Sequence, residues 1–153
     1  MSHHREEFRV EGMAEPLSHY TDAVKAGGLL FVSGIVPLDA DGNLVGEGDV
    51  AEQARQVFRN MQLCLSAAGC GFDDVVKVVH YLLDVDDRPK INPVRMEFFG
   101  EARPASTLVE VSALAVPGRC WRSKRSPLSR AELRLQKRPL CPCWAELEGA
   151  LVG

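Results

Sequence analysis

The sequence predicts one small α/β domain over residues 16–118, a mixed sheet with two helices on one face, and sets residues 119–153 apart from it. Three observations predict this. An apolar stripe at helical spacing runs through residues 49–68. A largely apolar, β-branched run covers Val75–Leu83. The composition shifts abruptly after Gly118.

The elements follow in order. Residues 1–15 read as an N-terminal tail. Thr21–Ala26 and Leu29–Ser33 are short apolar runs around Gly27-Gly28, the pattern of a β-hairpin. Leu38 to Asn43 is a loop rich in turn residues. Asp49 is placed to cap a helix, with Glu52 three residues on completing a capping box. That helix carries Val50, Ala54, Val57, Met61, Cys64, Leu65 and Ala68 on one face and stops at Gly69. Val75–Leu83 suits a strand buried on both faces. Asp86 to Pro89 opens a second helix, with Ile91, Val94 and Phe98 inward. Thr107–Val111 alternates as a half-buried strand does. The order is therefore β-β-α-β-α-β. A further strand is wanted after Pro117-Gly118, because Thr107–Val111 would otherwise be a bare edge. The sequence after Gly118 has no strand alternation to supply one. Leu128–Gln136 has only a weak helical stripe, and Pro139 and Pro142 break the stretch beyond it.

The chain has 153 residues, enough for one core. No apolar run reaches the ~18–20 residues of a membrane helix, and the first residues lack the apolar stretch of a signal peptide. A cytoplasmic protein with reduced thiols is the expectation. Cys141-Pro-Cys143 lacks the spacing of zinc or redox motifs, and His3-His4 reads as solvated tail, so no metal is expected. Residues 1–118 hold ten Lys+Arg against eighteen Asp+Glu, a balance of −8; residues 119–153 hold eight against three, +5, together the −3 of the chain. Both Trp and three of five Cys also fall after Gly118. The acidic body argues against nucleic acid as a partner.

Six segments, in order and spacing, resemble one family: Phe31-Val-Ser-Gly-Ile-Val-Pro37, Gly48-Asp-Val-Ala-Glu-Gln-Ala54, Ala67-Ala-Gly69, Val75-Val-Lys77, Ile91-Asn92 and Arg103-Pro-Ala-Ser-Thr-Leu-Val-Glu-Val111. The stretch from Pro16 to Gly118 resembles the RidA/YjgF family of reactive-intermediate deaminases. The resemblance implies a chorismate-mutase-like fold, a homotrimer with clefts between subunits, and hydrolysis of enamines and imines such as 2-aminoacrylate to keto acid and ammonia. It implies no metal or organic cofactor. A related branch deaminates 2-aminomuconate.

The same resemblance bears on the tail. Family members follow the Pro-Gly turn with a strand like Leu-Val-Glu-Ile-Glu-Ala-Ile-Ala. Arg119–Pro127 can be encoded as CGC TGC TGG AGA TCG AAG CGA TCG CCG. Read from the third base, that gives Leu-Leu-Glu-Ile-Glu-Ala-Ile-Ala. On this reading a base was lost near the Gly118 codon, and residues 119–153 are out-of-frame translation; the other reading is a genuine basic extension.

The site residues follow from the resemblance, weighed against plain structural roles. In deaminating members an Arg in the Pro-Ala-Arg motif forks onto the substrate carboxylate. Ser106 stands at that position, donating a hydrogen bond but no charge. Arg103 and Arg95 are substitute anchors or solvated cations. The family's water-aligning Glu falls, in the shifted frame, where this chain has Arg122. Ser33 and Gly34 match the cleft floor, where they would hold a substrate oxygen; otherwise they are a strand-end Ser and a Gly for a tight bend. Tyr20 matches a Tyr over the ligand, or is a core aromatic. Asn92 matches a family Asn and could instead tie down backbone. Glu110 would bind substrate or pair across the sheet. Leu108 replaces a frequent Cys, so no reactive thiol is expected, and Cys64 and Cys70 look structural. His80 and Lys77 lie on the Val75–Leu83 strand, where local bonding is the ordinary role of a lone His.

Three functions compete. The first is an imine or enamine deaminase for a small carboxylated metabolite, 2-aminomuconate included. The second is a binding module with the same cleft and no turnover, favoured by the loss of the motif Arg. The third is a defective product of a damaged frame.

Overall fold

The computed structural model describes residues 5–114 and the backbone of Leu151 and Val152. The elements are β1 (Arg5–Phe8), β2 (Ala23–Ala26), β3 (Leu29–Val32), α1 (Val50–Ala67), β4 (Val75–Leu82), α2 (Arg88–Phe99), β5 (Ala105–Glu110) and β6 (Leu151–Val152). The strands form one mixed sheet in the order β1-β2-β3-β6-β4-β5. Both helices pack together over one face.

The hairpin forms where expected. Gly27 and Gly28 have φ of 59° and 82°, and two successive positive-φ residues make the turn whose twist matches its strands. In β3 the alternation is clean: Leu30 and Val32 are buried under the helices, while Leu29 and Phe31 face outward.

Helix α1 begins at Asp49, whose carboxylate accepts from Glu52 N–H at 3.1 Å. Only half of the expected capping box forms. Asp49 N–H donates to the Gly46 carbonyl instead, and Glu52 pairs with Arg55 and Arg59. The buried face is Val50, Gln53, Phe58, Asn60, Met61, Cys64 and Leu65. Ala54 and Val57, expected inside, are half-buried, because Phe58 takes the centre of the packing. It meets Phe72, Phe98 and Phe99 at centroid distances of 6.2, 5.4 and 5.6 Å. On α2 the inward residues are Ile91, Val94 and Phe99. Phe98 is half-buried against the core, since Phe99 is the one that drives into it.

Strands β4 and β5 are parallel, joined through α2, with Lys77 opposite Ala105 and Leu82 opposite Glu110. Four expectations are corrected here. Residues 5–10 are not tail: β1 pairs with β2 from Arg5↔Ala26 to Phe8↔Ala23, and Val10 joins the core. β4 is not buried on both faces, since the helices cover only one side and Val76 and Tyr81 are exposed. β5 remains an edge strand, because the central place in the sheet lies elsewhere, between β3 and β4. That place is taken by Leu151–Val152, so the segment after Gly118 does reach the sheet. β6 runs antiparallel to both neighbours and pairs with Leu30 and Phe31 on one side and with Val75 and Lys77 on the other. The rest of residues 119–153, with Arg122 and the cysteines after Gly118, lies outside the described residues. Among the described residues no helix is long and apolar enough to cross a membrane.

Candidate functional site

A pocket of about 40 Å³ opens between the 13–17 turn, the end of β3 and the loop that follows it. It gathers three of the predicted residues: Tyr20, Ser33 and Gly34. Asp22, Ile35 and Asn60 complete the wall on the inner side. The space is large enough for a few water molecules.

The loop after β3 is hung from α1 by amides. Asn60 Nδ2 donates to the carbonyls of Leu38 and Val36 at 2.9 and 3.2 Å. Gln56 Nε2 donates to the Leu38 carbonyl at 3.1 Å and to Asn60 Oδ1 at 2.9 Å, and Gln53 Nε2 to the Gly46 carbonyl at 2.9 Å. These three residues are a polar stripe at positions 53, 56 and 60, the spacing that puts side chains on one helix face. The sequence carries this signal openly, but a search for apolar periodicity passes over it.

Each predicted residue has a definite state. Ser33 Oγ donates to the Thr21 carbonyl at 2.6 Å. Its proton is spoken for, so the oxygen faces the pocket as an acceptor. The Tyr20 ring is 47% exposed, and its hydroxyl accepts from Leu17 N–H at 3.2 Å, leaving its proton to donate. It is not a core aromatic. Gly34 has ordinary φ, and a Cβ there would meet nothing within 4 Å. The tight-bend reading of Gly34 is therefore wrong: one chain's fold does not require glycine at 34.

The remaining predicted residues are not brought to this pocket. Ser106 is exposed on β5, paired in register with Val78. Arg103 is exposed just before β5, and Asn92 is exposed on α2. Glu110 Oε2 accepts from Val85 N–H at 2.9 Å, which ties β5 to the short turn before α2. Arg95 is half-buried, and its Nε has no hydrogen-bond partner among the described residues. Beside it His80 stands edge-on to Phe58 at 6.1 Å, its Nε2 likewise without a partner. Burial, with the Arg95 charge adding to it, pushes the His80 imidazole down to about 4. Lys77 Nζ donates to Thr107 Oγ1 at 2.6 Å. Burial pushes the Cys64 thiol up to about 12, with the Asp22 charge contributing, so it carries no thiolate near neutrality. Among the described residues no group of His, Cys, Asp and Glu is placed to hold a metal ion.

Comparison with known proteins gives a consistent picture. The family model described as Endoribonuclease L-PSP matches residues 12–119. A RutC family protein of Pyrococcus horikoshii is 42% identical over 110 residues, 72% of this chain and 87% of the relative. The 3-aminoacrylate deaminase RutC of Acinetobacter baylyi is 43% identical over 101 residues, 66% of this chain and 80% of that protein. Among solved structures, RidA from an Antarctic Psychrobacter superposes with a TM-score of 0.67 at 31% identity, over 72% of this chain and 89% of that one.

Proposed function

Since the chain belongs to the RidA/YjgF family, we propose that it is a deaminase of reactive enamines or imines on small carboxylated metabolites. The observation that carries the reading is the convergence of Tyr20, Ser33 and Gly34 on one pocket. The relative named as a 3-aminoacrylate deaminase supports the same substrate class.

The chemistry asked of these residues is modest. Water adds to the carbon of the C=N bond, and the tetrahedral adduct expels ammonia to leave a keto acid. The Ser33 oxygen, an acceptor by virtue of its bond to Thr21, suits the N–H of an iminium or an incoming water. The Tyr20 hydroxyl has a proton to donate to a substrate oxygen or to the departing nitrogen. A glycine at 34 lets a ligand or a neighbouring subunit approach the backbone.

We propose further that the working form is a homotrimer. The pocket of one chain is too small to enclose a metabolite. The sheet face opposite the helices exposes Leu29 and Phe31 on β3 and, beyond β6, the register pair Tyr81 and Val109 on β4 and β5, and exposed apolar residues of this kind are covered by association. Ser106 and Arg103 sit at the β5 edge, away from their own chain's pocket, where a neighbour's cleft could take them. An RNA substrate is opposed by the acidic balance of residues 1–118.

Ser106 in place of the motif Arg favours a second reading, binding without turnover. Keto-acid release from 2-aminoacrylate and 2-aminomuconate, with direct binding of the keto acids, separates the two. Turnover supports the deaminase. Binding with no turnover, in this chain and in a frame-restored one, leaves the binding module.

A further inference from the structure

Among the described residues, the pocket wall contains two carboxylates, Glu15 and Asp22, and no cationic side chain. A carboxylated substrate would be repelled there unless a cation stands behind them. Arg9, just after β1, is that cation: its Nη1 lies 2.5 Å from Asp22 Oδ2 and its Nη2 lies 3.0 Å from Glu15 Oε2.

The two partners differ in kind. Asp22 is 5% exposed and fixed on several sides. Its carboxylate also accepts from Val10 N–H at 2.8 Å, its own N–H donates to the Phe8 carbonyl, and its carbonyl accepts from Ser33 N–H. Asp22 therefore holds the guanidinium in one orientation. The Glu15 side chain is 94% exposed, and an ion pair so open to water contributes little. A guanidinium has five donors in a rigid fork, so replacing one exposed carboxylate by another costs it almost nothing.

The geometry points to Arg9 as the residue that binds the substrate carboxylate, with Glu15 holding its place until a ligand displaces it. This rests on the proposed substrate class. It supplies the charge that Ser106 cannot.

The test is calorimetric titration of the full chain with pyruvate, a stable keto acid, and with pyruvamide, its uncharged counterpart. Arg9→Gln is expected to weaken pyruvate binding by about tenfold or more, and Arg9→Lys, which keeps the charge and loses the fork, by less. Glu15→Gln, on an exposed side chain that cannot unfold the domain, is expected to tighten pyruvate binding about twofold to fivefold at low salt. Pyruvamide should respond to none of these changes. If wild type binds pyruvate and the folded Arg9 variants bind it equally well, or if Glu15→Gln gives no tightening, the assignment of Arg9 is overturned and the substrate class stands. If wild type binds neither compound, both the assignment and the substrate class are overturned.

Discussion

Ser33 Oγ donates to the carbonyl of Thr21 at 2.6 Å, next to the bond from Ser33 N–H to the Asp22 carbonyl at 2.9 Å. One side chain thus fixes the end of β3 against the start of β2 and turns its lone pairs to the pocket. Ser33→Ala should lower stability by only about 1 kcal/mol, the usual net value of one hydrogen bond. Its effect on turnover should be much larger, about a hundredfold in kcat/KM. Urea unfolding and keto-acid release, measured on one preparation, compare the two; equal small effects on both would remove Ser33 from the reaction.

Gly34→Ala makes the complementary prediction. The backbone there has ordinary φ and the space for a Cβ is open, so the substitution should be neutral or stabilising by up to about 1 kcal/mol. Binding of ligand, or assembly, should nevertheless fail. A variant that keeps both would show that nothing approaches this backbone.

The orphaned imidazole of His80 sets an acid limit on stability. Its value falls from 6.5 unfolded to about 4 in the fold, so above pH 6.5 the two states bind the same protons. Between pH 6.5 and 4 the unfolded state is protonated and the folded state is not. Stability should drop through that window by about 3 kcal/mol at most and level off below it. His80→Leu, compared with wild type by denaturant titration at several pH values, should flatten that part of the curve. Parallel curves would refute this account of the residue.

The lane between β3 and β4 is a fourth case. Among the described residues, β6 pairs with β4 at Val75 and Lys77, and β4 continues to Leu82. If the reading frame was lost near Gly118, a restored chain carrying Leu-Leu-Glu-Ile-Glu-Ala-Ile-Ala after Gly118 should fill the lane and raise Tm by several degrees. Ser106→Arg should then confer 2-aminoacrylate turnover in the restored chain alone. An intact frame through Gly153 in the resequenced gene, or a restored chain melting no higher, would end the frameshift account.

The stable parts of the fold were legible because each rested on local chemistry: the Gly27-Gly28 turn, the Asp49 cap, the stripe of α1. β1 escaped notice because Arg5–Phe8 is mostly charged and forms a strand only by pairing with β2. Phe99 displaced Phe98 from the core through packing that no periodicity fixes. The family resemblance singled out Tyr20, Ser33 and Gly34, which the fold brings to one pocket. The pairing of Arg9 with Asp22 and Glu15 could not be read there, because those residues meet it only in the folded chain.

The amide stripe of α1 has one more consequence. Gln53, Gln56 and Asn60 hang the loop after β3 from α1, whose inner face lies in the core, so the wall formed by Ile35, Val36 and Leu38 is expected to open only when those bonds part. A ligand then meets a surface already ordered, and loses no affinity to the entropy of arranging it.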